Sequence, residues 1–136
     1  MRVERYHKNQ LLLWNEFVER SPNGHFMFDR GYMDYHSDRF KDHSLLFFIQ
    51  ERLMAILPAN ELDGRLYSHQ GLSFGGLILG TRTYCADVLK IFSSLREYML
   101  ANSLTDLTYK VMPWIYNSGT REESIYALFV NKAELF

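Results

Sequence analysis

Apolar side chains in the first half of the chain recur at helical spacing and then in short continuous runs. One apolar face predicts a helix over residues 10–20, with Asn9 as its N-cap. That face consists of Leu13, Trp14, Phe17 and Val18. Residues 28–40 mix aromatic with charged side chains and predict a helix or an irregular turn. The apolar runs at 45–49 and 53–57 are typical of buried strands.

A glycine-rich apolar stretch follows a predicted hairpin in the middle of the chain. The Asp-Gly pair at positions 63 and 64 is a strong turn signal. Residues 65–69 and 72–79 predict the strands after it, and the stretch YSHQGLSFGGLILG covers residues 67–80. We expect Gly75 and Gly76 to form a β-bulge, or to let a neighbouring backbone or a ligand approach closely, rather than to hold a phosphate.

Beyond Gly80 the apolar period changes from strand-like to helical. Five apolar positions predict a helix over residues 84–102, and Thr83 is its expected N-cap. Those positions are Val88, Ile91, Phe92, Leu95 and Met99. Alternating side chains over residues 107–112 predict a strand, and residues 122–136 predict a final helix that two acidic residues open.

The order of these elements predicts the fold class. Strands joined by short hairpins indicate an antiparallel part of the sheet. The strand, long helix and strand between residues 71 and 112 predict one right-handed parallel crossover. We therefore expect an α/β (α+β) fold in which helices flank a mixed, mostly antiparallel sheet.

Composition limits the classes of partner and compartment. A length of 136 residues suits one compact domain, and a net charge of −1 with no basic stripe argues against DNA as a partner. The single Cys85 excludes an internal disulfide and fits a reducing compartment. The polar start MRVERYHKNQ lacks the apolar core of a signal peptide, and no apolar run is long enough for a membrane span. We expect a cytoplasmic protein.

Three stretches of the chain resemble the N-terminal half of FemAB-like proteins of the GNAT (acyl-CoA N-acyltransferase fold) superfamily. They are RGYMDYHSDRFKDHSLLFFIQERLMAILPAN, YSHQGLSFGGLILG and PWIYNSGTREESIYALFVNKAELF. The resemblance implies a single GNAT-like domain over residues 1–136, one half of a tandem-GNAT protein, with a sheet that is incomplete at its C-terminal end. It also implies transfer of an acyl or aminoacyl group to an amine on a cell-envelope sugar or peptidoglycan precursor.

The resemblance places a cofactor site between a strand and the long helix. In GNAT proteins, backbone N–H groups and the helix N-terminus at this turn bind the phosphates of acyl-CoA. The spacing of the glycines from 71 to 76 does not match the family's loop. The turn formed by Gly80, Thr81, Arg82 and Thr83 offers a glycine, two hydroxyls and an arginine, and these are the candidate cofactor-binding residues. The alternative is that Arg82 is an ordinary solvated side chain.

Two residues are candidates for proton transfer. His69 lies at the junction of two predicted strands, where a neutral imidazole can accept a proton from an attacking amine. Tyr126 lies on the final helix, where many GNAT enzymes carry a tyrosine acid. Tyr35, His36 and His69 are the candidate substrate contacts. The alternative for His69 is a structural role as a hydrogen-bonded residue, and the alternative for Tyr126 is packing against its apolar neighbours. Trp14 is expected to lie in the core.

Other polar residues between 30 and 43 have more ordinary interpretations. Arg30 and Arg39 lie among Asp34 and Asp38 and predict a salt-bridged surface network. Histidines 36, 43 and 69 lie among carboxylates, but their spacing matches no compact metal motif, so we expect no metal site.

Two functions from different classes remain open. The first is an acyltransferase whose active site this chain holds only in part, with acyl-CoA as the candidate cofactor. The second is a non-catalytic GNAT-like module for binding or dimerisation. An unpaired edge strand would favour a homodimer or a complex with a second GNAT-like half.

Overall fold

The computed structural model describes residues 1–35, 37–118 and 122–136. Its strands are β1 (Arg2–Arg5), β2 (Lys41–Asp42), β3 (Leu45–Ile49), β4 (Arg52–Leu57), β5 (Asn60–Leu62), β6 (Arg65–Ser68), β7 (Ile78–Leu79) and β8 (Leu107–Tyr109). Its helices are α1 (Leu11–Arg20), α2 (Arg30–Asp34), α3 (Cys85–Ala101) and α4 (Glu123–Val130). The α+β fold class, with mostly antiparallel strands, is confirmed.

The strands form two sheets that continue one into the other. One sheet has the order β1-β3-β4-β7 and the other has the order β2-β5-β6-β8. The chain passes from β2 to β3 and from β4 to β5 through a shared bend, where the His43 N–H donates to the Ala59 carbonyl at 2.9 Å. The predicted turn between β5 and β6 is confirmed, with φ of +52° at Asp63 and +74° at Gly64, as in a type I′ hairpin.

The parallel crossover joins a different pair of strands from the predicted one. β8 pairs in parallel with β6, and Leu66 lies opposite Leu107. The strand predicted over residues 72–79 is reduced to Ile78–Leu79, and it pairs with β4. The physical reason lies in the loop before β7, where the backbone at Gly75 packs directly against the end of β6.

Helices cover both faces of the sheets. Along β3, Leu45 and Phe47 join one buried cluster and Leu46 and Phe48 join the other, as the two-residue period of a strand requires. The first cluster receives α3 and α4 and the second receives α1 and α2. Trp14 is fully buried in the second cluster, and its indole N–H donates to the Phe28 carbonyl at 2.7 Å, so the prediction of core packing is confirmed.

The two ends of the chain differ from the prediction. The polar start forms β1, which the sequence pattern did not indicate, and Val3 packs against the core from this strand. The final helix ends at Val130 instead of continuing to residue 136. Asn131 caps it by donating from Nδ2 to the Ala127 carbonyl at 2.8 Å, and Lys132 has a φ of +55°, which no helix adopts. No helix in the described ranges is long and apolar enough to cross a membrane.

Candidate functional site

A basic pocket lies where β7 turns into α3. It has a volume of about 180 Å³ and brings Gly80, Thr81 and Arg82 together with Arg20 of α1 and Arg52 of β4. We call it the arginine pocket. Three of the four candidate cofactor residues therefore share one cavity, and two further arginines line it.

Hydrogen bonds to β4 fix the turn at the base of the pocket. The Gly80 N–H and the Thr83 hydroxyl both donate to the Met54 carbonyl, at 2.9 and 2.6 Å. Thr83 is fully buried, so its hydroxyl holds the turn and does not face the pocket. Thr83 is therefore not the N-cap of α3, contrary to the prediction. Tyr84 takes that position, and its N–H donates to the Asp87 carboxylate at 3.0 Å.

The electrostatics of the arginine pocket suit an anion. The Arg52 guanidinium donates to the Arg82 carbonyl at 2.9 Å, which places the two residues side by side. The residues that line it include three arginines and one acidic residue, Glu16. Guanidinium groups bind phosphate and carboxylate through paired charge-assisted hydrogen bonds. Sequence reasoning missed Arg20 and Arg52, because only the tertiary fold brings them to residue 82.

His69 is buried, with 5% of its surface exposed, next to the ring of Phe40. Its Nδ1 accepts the Gly71 N–H at 3.2 Å, so the proton of the neutral ring lies on Nε2. Burial lowers the pKa of His69 to about 4, although nearby Asp42 opposes this shift. The ring is therefore neutral at pH 7, and its unprotonated nitrogen, Nδ1, is already engaged. This geometry favours a structural hydrogen bond over a general base.

Two polar side chains, Lys110 directly after β8 and Asn60 of β5, hold the first part of the loop between β6 and β7. The Lys110 ammonium donates to the carbonyls of His69 and Leu72, at 3.0 and 2.7 Å. Asn60 pairs with Gln70 through two hydrogen bonds of 2.7 and 2.8 Å. These hydrogen bonds fix the conformation of the loop, and they occupy polar groups of the loop that a ligand could otherwise contact.

The glycines of this loop allow close packing, as predicted for Gly75 and Gly76. A Cβ atom at Gly75 would lie 1.8 Å from the Ser68 carbonyl oxygen. Gly76 has a φ of +90°, and a Cβ atom there would lie 2.8 Å from the Tyr109 ring. The two glycines lie in the loop before β7 and so form no β-bulge, whereas the predicted close approach of a neighbouring backbone is confirmed at Gly75.

Side chains cover the open edge of β7. Asn23 accepts the Leu79 N–H at 2.9 Å and donates to the Leu77 carbonyl at 2.8 Å. The Tyr109 hydroxyl accepts the Leu77 N–H at 2.7 Å. A cavity of about 270 Å³ lies beside Leu77 and Tyr109, between the loop before β7 and the residues that follow β8. The N–H and the carbonyl of Leu77 beside this cavity are both already hydrogen-bonded.

The other candidate residues lie away from the arginine pocket. Tyr35 follows α2 and is exposed, and Tyr126 is half-exposed on the outer face of α4. Neither lines the arginine pocket, and His69 does not line it either. His36 lies outside the described residues. Over the described part of the chain, no group of three or more His, Cys, Asp or Glu side chains is arranged to hold a metal ion.

The predicted surface network around Arg30 is in fact buried at its centre. Arg30 is only 2% exposed and donates to Asp34 and Asp42, at 2.7 and 3.1 Å. Its guanidinium lies 3.9 Å from the centre of the Tyr6 ring. Aromatic faces stabilise a desolvated cation, which explains why this arginine is buried. The surface interpretation is therefore wrong for Arg30, whereas Arg39 and Asp38 are exposed.

Comparisons with known proteins show the fold alone. No protein-family model matches the chain, and no curated protein sequence matches it significantly. Crystal structures of the Thermus thermophilus protein TTHA1254 have a similar fold. A point mutant of that protein gives a TM-score of 0.56 at 16% identity, and the wild type gives 0.54 at 15%. Each match covers 100% of this chain and 91% of the other.

Proposed function

We propose that this chain is a GNAT/FemAB-like acyltransferase domain that takes part in transferring an acyl or aminoacyl group to an amine. The observation that carries the proposal is the arginine pocket at the turn between β7 and α3. It supports the proposal because the resemblance implies that acyl-CoA phosphates bind at this turn. The implied acceptor is an amine on a cell-envelope sugar or a peptidoglycan precursor.

The chemistry of the pocket fits a phosphate group. The lining residues include three arginines and only one acidic residue, so the pocket has an excess of positive charge that attracts an anion. A volume of about 180 Å³ is smaller than the roughly 300 Å³ or more of pockets that enclose a whole small-molecule ligand. The pocket therefore suits a phosphate or pyrophosphate group, with the remainder of a cofactor lying outside it.

The chain's own residues would bind and orient the donor. An acyl-CoA, when bound, supplies an acyl group that is already activated as a thioester. The arginine pocket would fix the phosphates and so set the position of the reacting end relative to the sheet. The amine must lose a proton as it attacks, and neither His69 nor Tyr126 lines the pocket. We therefore propose a composite site, completed by a second GNAT-like half or a second copy.

A non-catalytic binding module is the second candidate. Two polar groups that catalysis or cofactor binding could have used, the Nδ1 atom of His69 and the hydroxyl of Thr83, already form hydrogen bonds within the fold, and this favours a binding role. Under this alternative the arginine pocket still binds an anion, but no acyl group is transferred.

Isothermal titration with acetyl-CoA tests the proposal. We expect a micromolar Kd, weakened at least tenfold by Arg82→Ala and by Arg52→Ala, because each removes one guanidinium group from the pocket. Arg39→Ala is the matched control, because Arg39 is an exposed arginine outside the pocket. Its Kd should be that of the wild type.

A transfer assay with a panel of amino sugars then separates the two candidates. Release of free CoA that depends on the acceptor supports the acyltransferase. Acetyl-CoA binding without release, also after addition of a second GNAT-like half, supports the binding module. Absence of acetyl-CoA binding at millimolar concentration would overturn the acyl-CoA proposal.

A further inference from the structure

The helix α4 is apolar on its outer face as well as on its inner face. Ala127 is buried against the core and Leu128 is half-buried. The exposed side chains on the outer face are Ile125, Tyr126, Phe129 and Val130. A helix that is apolar all round is normally covered all round. We call these four side chains, with Leu135 and Phe136, the C-terminal apolar face.

A groove adjoins this face. It has a volume of about 450 Å³ and lies between α3, β8 and the residues that follow α4. Its apolar lining includes Phe92, Leu95 and Met99 of α3. β8 forms one side of the groove and has a strand partner on only one edge among the described residues. The groove therefore combines apolar surface with an open strand edge.

The chain exposes more surface than a compact monomer of its mass is expected to expose. The chain has an accessible surface of 8190 Å² for a mass of 16.1 kDa. A compact monomer of that mass is expected to expose about 7,400 Å². The excess is about 800 Å², which is roughly what one partner contributes to an interface of standard size.

We infer that the C-terminal apolar face and the groove together bind a second copy of this chain around a two-fold axis. A two-fold interface requires one patch to complement itself. This patch carries both a protruding side chain, Phe129, and a recess, the groove. It also carries both signs of charge, because Arg96, Asp106 and Glu134 all line the groove. A net charge of −1 adds little repulsion between two copies.

Light scattering on the purified chain, over a concentration series, tests the inference. The wild type is expected to have twice the monomer mass of 16.1 kDa. Phe129→Glu is expected to give the monomer mass, because its side chain is 78% exposed in the single chain and a charge there would be buried in the dimer. Leu12→Glu is the control, since Leu12 is 74% exposed on α1, which packs on the other face of the sheet. It should remain a dimer.

Hydrogen exchange provides a second, independent readout. Amide protons of β8 should exchange more slowly in the wild type than in Phe129→Glu, whereas amide protons of β3 should be equally protected. A monomeric wild type at all concentrations would overturn the inference, as would a dimeric Phe129→Glu. Acetyl-CoA titration of Phe129→Glu is independent of this result, because Phe129 does not line the arginine pocket. Failure of the dimer and failure of cofactor binding are therefore distinguishable.

Discussion

The Nε2 atom of His43 lies 2.7 Å from the hydroxyl oxygen of Tyr98 and so connects the bend between the two sheets to α3. On its other side, the His43 ring is hydrogen-bonded through Nδ1 to the Glu61 carboxylate of β5. Because the carboxylate accepts the Nδ1 proton, Nε2 accepts the proton of the tyrosine hydroxyl. Burial lowers the pKa of His43, and the hydrogen bond to Glu61 only partly opposes that shift.

Replacing Tyr98 with phenylalanine should destabilise the protein. The change leaves the buried Nε2 of His43 without its partner, which is expected to cost about 1–3 kcal/mol in the free energy of unfolding. Urea denaturation at pH 7 measures this difference. Tyr126→Phe is the matched control, because Tyr126 is half-exposed, and it should change stability by less than about 0.5 kcal/mol. Equal stabilities of the two variants would contradict a structural role for the His43–Tyr98 contact.

Acid should destabilise the protein through His69. Its pKa in the fold, about 4, lies below the value of 6.5 expected when it is unfolded, so the unfolded chain binds the proton more readily. The stabilising contribution is therefore complete above about pH 6.5 and is lost as the pH falls toward 4. Allowing for partial solvent screening, we expect a loss of about 2 kcal/mol from this residue.

The variant His69→Asn isolates that contribution. An asparagine oxygen can accept the Gly71 N–H in place of Nδ1, but the side chain cannot take up a proton. Urea denaturation at pH 7 and at pH 4.5 should therefore show a smaller difference for the variant than for the wild type. Asp42, Arg30 and Lys110 also influence His69, and they remain unchanged in both proteins. An unchanged pH dependence would show that other groups cause the acid sensitivity.

The elements that the sequence predicted well have a strong hydrophobic period. The helix predicted over residues 84–102 is observed as Cys85–Ala101, and the helix predicted over 10–20 is observed as Leu11–Arg20. In α3 all five positions that define the period pack in the core, and in α1 Trp14, Phe17 and Val18 do so whereas Leu13 is exposed, so local pattern and tertiary packing largely agree.

Features that depend on long-range contacts were not predictable. The loop before β7 looks like a strand in the sequence, and only contacts with Ser68 and Tyr109 show why it is not one. The arginine pocket likewise joins residues from α1, β4 and the turn at 80–82. Hydrophobic periodicity carries no information about which distant charged side chains meet. The turn itself was predicted as a site only because the resemblance to GNAT proteins places their phosphate-binding loop between a strand and the long helix.

Gly75 should not tolerate a side chain. A Cβ atom would lie 1.8 Å from the Ser68 carbonyl oxygen, which is part of the backbone and cannot rotate away. Gly75→Ala is therefore expected to lower the free energy of unfolding by at least about 3 kcal/mol. Gly31→Ala is the control, because a Cβ atom at Gly31 would meet only the side chain of Asp29, at 3.0 Å. The free energy of unfolding of this variant should fall by less than about 1 kcal/mol. Thermal denaturation of both variants decides the matter, and similar melting temperatures would contradict the packing role of Gly75.

The two arginines of the mixed-charge segment should differ sharply in their effect on stability. Arg30→Ala removes a buried cation from Asp42 and from the face of Tyr6, and leaves the Asp42 carboxylate without its ion-pair partner, with only Ser44 still donating to it. Breaking a buried ion pair in this way is expected to cost about 3–5 kcal/mol, toward the lower end here because Asp42 is partly exposed. Arg39→Ala should change stability by less than about 0.5 kcal/mol, because Arg39 is exposed. Chemical denaturation of the two variants at pH 7 measures the contrast, and a small effect of Arg30→Ala would show that water replaces the lost contacts.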